Sequence, residues 1–388
     1  MKANRRRPGL RSSAQRSAKR IPNKEKITFV LHMKTQSSTQ PLVSVVLPCR
    51  NETGHIEACI QSILAQDQPE GGMEIIAADG MSTDGTRQYL DEMAGRHPQL
   101  RVIYNPGRIV STGLNAAIRV ARGEFIVRMD AHSTYAPDYI RQCLAVMKET
   151  GADNVGGPMQ TWAHTYKEQA IRAVTHCPWV LGGARSHQPS YEGLVDTVIY
   201  GCWNRAVFDR VGFFDEELVR NQDDEHNLRL TRSGGKIYQS PRIRSWYRVR
   251  SSLTTLFRQY MQYGYWKVLV IRKHQRPASF RHVVPGVFVG SICFLIALGL
   301  FWRPALLAAA GLILVHAMAA ITLSLAIAAR TKLTLFPLLP GVIWCFHFGY
   351  GYGFLRGILD FVLLHNAPQI QFVQLTREQH AKPGNVRP

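Results

Sequence analysis

From position 41 the chain repeats one pattern, a short apolar run followed by a stretch of helical periodicity. Residues 43–47, Val-Ser-Val-Val-Leu, read as a buried strand ending at Pro48. Residues 73–78 read as a second strand stopped by Asp79-Gly80, and residues 100–104 and 124–129 as a third and fourth, the last leading onto Asp130. Helices fall between them: 57–66, with Ile60, Ile63 and Leu64 on one face, then 86–95, then 111–122, closed by Gly123. Strands that are apolar throughout are buried on both faces. With helices between them they predict an α/β fold built on a parallel, doubly wound sheet. Such sheets bind ligands beyond the carboxyl ends of their strands, so the polar residues just past those ends are the ones to examine.

After Arg281 the pattern changes. Residues 283–302, 305–329 and 333–355 hold no Asp, Glu, Lys or Arg, and each is near the ~20 residues that cross a bilayer. The third is broken by Pro337, Pro340 and several glycines, so it reads as a kinked span or a re-entrant segment and leaves two or three spans open. Arg272, Lys273, Arg276 and Arg281 precede the first run, and Arg330 and Lys332 follow the second. The positive-inside rule then places a multi-pass chain in the cytoplasmic (inner) membrane, with the preceding domain on the cytoplasmic side and the side of the C-terminus open. Residues 251–282, with Arg258 to Trp266 amphipathic, read as an interfacial helix. The expected domains are therefore a basic arm (1–40), an α/β domain (41–250), the interfacial segment (251–282), transmembrane helices (283–364) and a tail (365–388).

Charge changes this picture only at the start. Residues 1–40 carry eleven Lys/Arg against one acid, Glu25, which is half of the formal net charge of +20. An arm so polar has little to bury and is expected to be disordered. It has no interleaved aromatics and no base-reading module, so contact with anionic lipid fits it better than nucleic acid. No apolar stretch follows it that would make a secretory signal. The seven cysteines form no CxxC or metal-ligand spacing and read as reduced thiols.

The chemistry gathers at strand ends: Pro48-Cys-Arg-Asn-Glu52, Asp79-Gly-Met-Ser-Thr-Asp-Gly-Thr86 and Asp130-Ala-His132. Singly these are turn and cap sequences. In this order, at the ends of successive parallel strands, they resemble the family 2 glycosyltransferases of GT-A fold over roughly residues 42–270. Those enzymes carry P-x-(R/Y)-N-E, an Asp followed by S-T-D-G-T, and D-x-D. Within the family, the wording of Asp79–Thr86, Asp130-Ala-His and Asn221-Gln-Asp-Asp-Glu225 resembles the succinoglycan-type glucosyltransferases of exopolysaccharide synthesis.

The resemblance implies roles. Pro48, Arg50 and Glu52 would border the nucleoside of a UDP-sugar, and Asp79 would accept from the uracil. Arg108 and Asn115 would lie near the nucleoside and diphosphate, or would be a surface Arg and a helical Asn. Asp130 would hold the ribose, and with His132 a divalent metal. His132 departs from the family's carboxylate, and imidazole suits Mn²⁺ better than Mg²⁺. In Asn221–Arg229, Asn221 reads as a helix N-cap and acids in the first turn suit the helix dipole. By resemblance Asp223 is the general base, with Asp224 as runner-up, while Glu225 and Arg229 form an i,i+4 pair behind the site. Arg185 and Trp203 fall where an acceptor is held, Trp203 either stacking on a sugar or filling the core. The family then implies inverting transfer, of glucose from UDP-glucose, to a polyprenyl-diphosphate-linked acceptor. A processive polysaccharide synthase is the alternative, disfavoured because Q-x-x-R-W is not spelled here.

Overall fold

The computed structural model describes residues 40–374, so the basic arm before Gln40 and the end of the tail lie outside the described residues. The strands are β1 (Val43–Cys49), β2 (Met73–Asp79), β3 (Leu100–Tyr104), β4 (Phe125–Arg128), β5 (Ser133–Tyr135), β6 (Asn154–Gly157), β7 (Thr161–Trp162), β8 (Gly193–Leu194), β9 (Ile199–Asn204), β10 (Ile237–Gln239) and β11 (Ser245–Arg248). The helices are α1 (Ile56–Leu64), α2 (Thr86–Arg96), α3 (Val110–Val120), α4 (Tyr139–Thr150), α5 (Tyr166–Thr175), α6 (Ala206–Val211), α7 (Gln222–Arg232), α8 (Leu253–His274), α9 (Val284–Leu298), α10 (Pro304–Arg330) and α11 (Leu339–Gly357).

Eight strands form the main sheet in the order β3-β2-β1-β4-β9-β6-β10-β8, and β5, β11 and β7 form a small second sheet. Its first half is parallel, as the apolar runs predict. The continuous apolarity has a direct cause, because Val45 and Leu47 enter the core on one face of the sheet while Val46 enters the core on the other. The second half is mixed, with β10 parallel to β6, so the sheet as a whole is mostly parallel as expected. β9 runs antiparallel to both β4 and β6, and β8 antiparallel to β10. The chain proceeds outward from β1 through β2 to β3, then returns to β4 on the other side of β1. This reversal opens a crevice at the carboxyl ends of β1 and β4, which lie in register at Val46 and Arg128.

The helices after Ser252 differ more. α8, expected as an interfacial segment, packs one face against a neighbouring helix. Met261, Tyr265, Trp266 and Val268 are buried, and α8 packs backbone to backbone on α11. A Cβ at Gly264 would collide with the Tyr350 carbonyl, and one at Gly353 with the Met261 carbonyl, so the glycines that looked like breaks in the third apolar run set this contact. α11 accordingly buries Leu339, Val342, Ile343 and Phe346, and beyond it the buried Asp360 pairs with Arg356 at 3.1 Å and accepts from Tyr265 Oη at 2.9 Å. Among the described residues two helical segments are long and apolar enough to cross a membrane, Phe280–Leu298 and Pro304–Arg330. They keep large apolar side chains exposed, including Phe294, Leu307, Leu314, Val315 and Met318. Of the two or three spans left open by the sequence, these two pass on length and apolarity, and α11 is not among them.

Candidate active site

The crevice is built from three loops. The Asn51 N–H donates to Ser82 Oγ (3.0 Å), the Thr83 N–H to Asn51 Oδ1 (2.9 Å), and the Glu52 N–H to Thr86 Oγ1 (2.8 Å). Asp84 accepts from the Thr53 N–H (3.1 Å) and from the Thr86 N–H (3.0 Å) and hydroxyl (2.6 Å). Burial would raise the Asp84 carboxyl, but these bonds outweigh it and hold it below its ordinary value. The Ser-Thr-Asp-Gly-Thr run thus fastens the loop after β2 to the loop after β1, with Gly85 at φ +97° supplying the turn. Asp79 is buried at the end of β2, takes the Ser82 N–H at 3.3 Å and lies 3.9 Å from Arg87 Nη1. Pro48 is buried in β1, and Arg50 follows it, half-buried.

The end of β4 departs from the D-x-D expectation. The strand stops at Arg128, so Asp130 and His132 sit in a turn and do not share a strand face. Instead, Arg128 donates to Asp130 through Nε (2.8 Å) and Nη2 (3.0 Å), and His132 Nδ1 lies 3.5 Å from Glu52 Oε1. Arg128, only 5% exposed, also reaches Asp223, Nη1 to Oδ2 at 3.9 Å. Burial alone would favour its neutral form, but the Asp130 and Asp223 carboxylates outweigh that and raise its pKa. One guanidinium therefore joins the donor crevice to the α7 acids. Sequence reasoning passed over Arg128, yet a cation in an otherwise apolar strand, two residues before Asp130, is a readable signal.

α7 begins at Asn221, held at φ +61°. Its side chain does not cap the helix and donates to the Tyr263 carbonyl at 2.9 Å, fixing the start of α7 to α8. Asp223 and Asp224 project about 100° apart from this first turn. The side chain of Asp223 keeps 39% of its surface accessible, and it lines a cavity of about 690 Å³. Enclosure in that cavity, then the neighbouring Asp224, push its carboxyl above its ordinary value against the pull of Arg128. Asp224 goes the other way. Burial would raise it, but Lys267 of α8, paired with it directly, then His282 and Arg281, hold it below. The same cavity runs from Arg128, Asp130 and His132 past Tyr200 to Phe288 of α9, His316 of α10 and Tyr350 of α11. Tyr200 lines it at φ +66°, a backbone strain that sits beside the acids.

Residues 44–180 match the family model described as Glycosyl transferase family 2. The succinoglycan biosynthesis protein ExoA of Rhizobium meliloti is 30% identical over 255 residues, covering 65% of this chain and 77% of that protein. The chain is a family 2 glycosyltransferase. A second relative, from Methanococcus voltae, is a dolichyl N-acetyl-alpha-D-glucosaminyl phosphate 3-beta-D-2,3-diacetamido-2,3-dideoxy-beta-D-glucuronosyltransferase, 28% identical over 327 residues, covering 82% of this chain and 97% of that protein. Among solved structures, the mannosyltransferase PcManGT of Pyrobaculum calidifontis, in complex with GDP-Man and Mn²⁺, superposes with a TM-score of 0.53 at 17% identity, covering 83% of this chain and 88% of that one. That likeness establishes the GT-A fold.

Four residues to which the resemblance gives a site role do not line the cavity beside Asp223. Asn115 is buried in α3, where it donates to the Phe214 carbonyl and Glu216 Oε1 (both 2.8 Å) and accepts the Phe214 N–H (2.9 Å), so all its bonds serve the fold. Trp203, 2% exposed, packs edge-on against Phe208, Phe214 and His226 and has no face free for a sugar. Arg185 is exposed, with its guanidinium over the Tyr191 ring, and does not line the catalytic cavity. Arg108 is exposed in the turn after β3 at φ +61°. Glu225 and Arg229 form the expected i,i+4 pair (2.7 Å), which His274 joins at 3.0 Å from Glu225. Arg229 also donates to the Phe213 carbonyl at 2.6 Å, so the pair fixes the back of α7.

Proposed function

We infer that this glycosyltransferase is an inverting enzyme that moves a sugar, glucose from UDP-glucose, onto a lipid-linked saccharide acceptor on a polyprenyl diphosphate, in exopolysaccharide or cell-envelope glycan synthesis. The observation that carries this reading is Asp223, the one α7 acid with a raised pKa, facing a cavity that begins at the strand-end crevice and ends among α9, α10 and α11. A raised pKa suits a base near neutral pH, whereas the Lys267 pair leaves Asp224 a poor proton acceptor. Asp223 takes the proton of an acceptor hydroxyl, and that oxygen attacks the anomeric carbon from the face opposite the nucleoside diphosphate. The bond to the diphosphate breaks and the leaving group keeps its electron pair. Arg128 balances Asp223 and Asp130 as charge moves through the site.

The family implies a divalent metal. Among the described residues no group of three His, Cys, Asp or Glu side chains could hold one alone. His132 and Asp130 would hold it as partial donors, exchanging the Glu52 contact and an Arg128 bond for the ion, and an imidazole would favour Mn²⁺ over Mg²⁺. When bound, the ion offsets the negative charge that builds on the leaving diphosphate. Turnover of purified full-length protein across nucleotide sugars, in EDTA and with Mn²⁺ or Mg²⁺ restored, tests both points. UDP-glucose is expected to turn over fastest and Mn²⁺ to restore more than Mg²⁺. Full activity in EDTA would remove the metal, and preference for a guanosine donor would remove the UDP assignment.

α9 and α10 are read as a membrane hairpin. Their outward apolar side chains, the four cations before α9 and the pair after α10 support a catalytic domain on the cytoplasmic face. The acceptor's prenyl chain then stays in the bilayer while its saccharide reaches Asp223.

A further inference from the structure

A second cavity, of about 1190 Å³, lies on the other side of α5 from the catalytic one. Ile171 and Thr175 of α5 face the catalytic cavity, while Arg172 and Ala173 face this groove. Its lining is amphiphilic. Leu323, Ile327 and Leu335, from α10 and the turn after it, give an apolar wall, and Trp162, Trp179 and Trp246 give aromatic edges. Arg172, Arg330 and Lys332 bring three cations, and no acid lines the groove. Lys332 donates only to a neutral partner, Gln169 Oε1 at 3.2 Å, and among the described residues no carboxylate lies within ion-pair distance of the three. On the groove side of α10 the apolar wall continues from Leu323 and Ala326 into exposed Ala319 and Val315.

We propose that this groove binds an anionic phospholipid of the host membrane, its phosphate held by Arg172, Arg330 and Lys332 and its acyl chains laid along α10. Unpaired cations with no acid beside them match a phosphodiester, and apolar surface running on from them matches the chains. Tryptophans at the rim sit where headgroup meets hydrocarbon. Nothing of the sugar-transfer machinery lines the groove, so the site anchors and orients the enzyme beside its acceptor. The proposal rests on the membrane reading of α9 and α10.

The test uses full-length protein in detergent, equilibrated with dioleoyl-phosphatidylglycerol or dioleoyl-phosphatidylcholine and examined by native mass spectrometry. Wild type is expected to retain phosphatidylglycerol in preference. The triple variant R172Q/R330Q/K332Q is expected to bind it about a hundredfold more weakly with donor hydrolysis unchanged, while R303Q, at the other end of α10, behaves as wild type. Equal retention of both lipids, or full retention by the triple variant, overturns the site. Should the triple variant fail to fold, brominated phosphatidylglycerol on the wild type decides: it must quench the fluorescence that Trp179→Phe removes, and absence of quenching overturns the site. A wild-type chain soluble without detergent overturns the membrane reading and the site together. A membrane-embedded chain indifferent to phosphatidylglycerol overturns the site alone.

Discussion

The strand-end crevice, proposed as the donor end of the site, and the cavity beside α7, proposed as its acceptor end, are assembled differently. In the crevice, the loops after β1 and β2 hold each other through short bonds among residues 51–53 and 82–86, about thirty positions apart along the chain. At the acceptor end, Arg128, Asp223, Lys267 and His282 come from four separate stretches, and their meeting depends on how α7 and α8 pack against the sheet and α11. A donor pocket made of local turns leaves its pattern in consecutive residues. An acceptor pocket made of packed helices leaves single charges scattered among apolar neighbours.

The comparison predicts separable kinetic effects. The largest is at the acceptor end: Asp223→Asn is expected to lower kcat by ~10²-fold or more, the range for a lost general base, with the donor KM nearly unchanged. Asp224→Asn is expected to cost less. The reverse ranking in steady-state assays would transfer the base to Asp224. Next comes the donor end, where Asp79→Asn is expected to raise the donor KM about tenfold, as one hydrogen bond to a charged group is worth, with a smaller change in kcat. A purely kcat effect there would mean that Asp79 serves the chemistry and not the nucleotide.

The same contrast governs what could be read without coordinates. The first four strands and three helices were legible to within two residues at nearly every boundary, because each apolar run is local and complete. β9 is not, since its antiparallel place between β4 and β6 is a long-range pairing that leaves no period of its own, and of the two places the sequence leaves open for Trp203 on it, sugar face or core, burial decides for the core. The glycines of α11 looked like interruptions of a membrane span, and their meaning appears only with α8 against them. Asp223 and Asp130 are proposed as site residues by the resemblance. Arg128, which joins them, belongs to no motif and was found only by geometry.

Lys267 sharpens the comparison through pH. As the proposed base, Asp223 must be deprotonated to act, so transfer is expected to rise as pH climbs through its pKa, which lies above the ordinary carboxylate value. Lys267 lowers the pKa of both Asp223 and Asp224. Lys267→Met is therefore expected to move the acid limb of the kcat profile to higher pH and to lower the rate along that limb. An unmoved limb with a lower plateau would mean that Lys267 holds α8 to α7 and does not set the charge of the base.

The smallest effect is expected at Arg185, and there the boundary of the acceptor end is decided. The residue lies between the donor and base motifs in sequence, which made it an acceptor candidate. In the fold its Nη1 donates to Tyr191 Oη at 3.0 Å, and its guanidinium lies 5.1 Å from the centre of the Tyr191 ring, outside the catalytic cavity. An exposed cation–π contact contributes roughly 0.5–1 kcal/mol, so Arg185→Ala is expected to lower thermal stability slightly and to leave kcat and both KM values as they are. Neighbouring Ser186 and His187 do line the cavity, so the segment is close enough for a long saccharide to extend across it. An acceptor KM raised severalfold by Arg185→Ala, with the donor KM constant, would show that the acceptor leaves the cavity over this turn and that the acceptor end is wider than the enclosed space around Asp223.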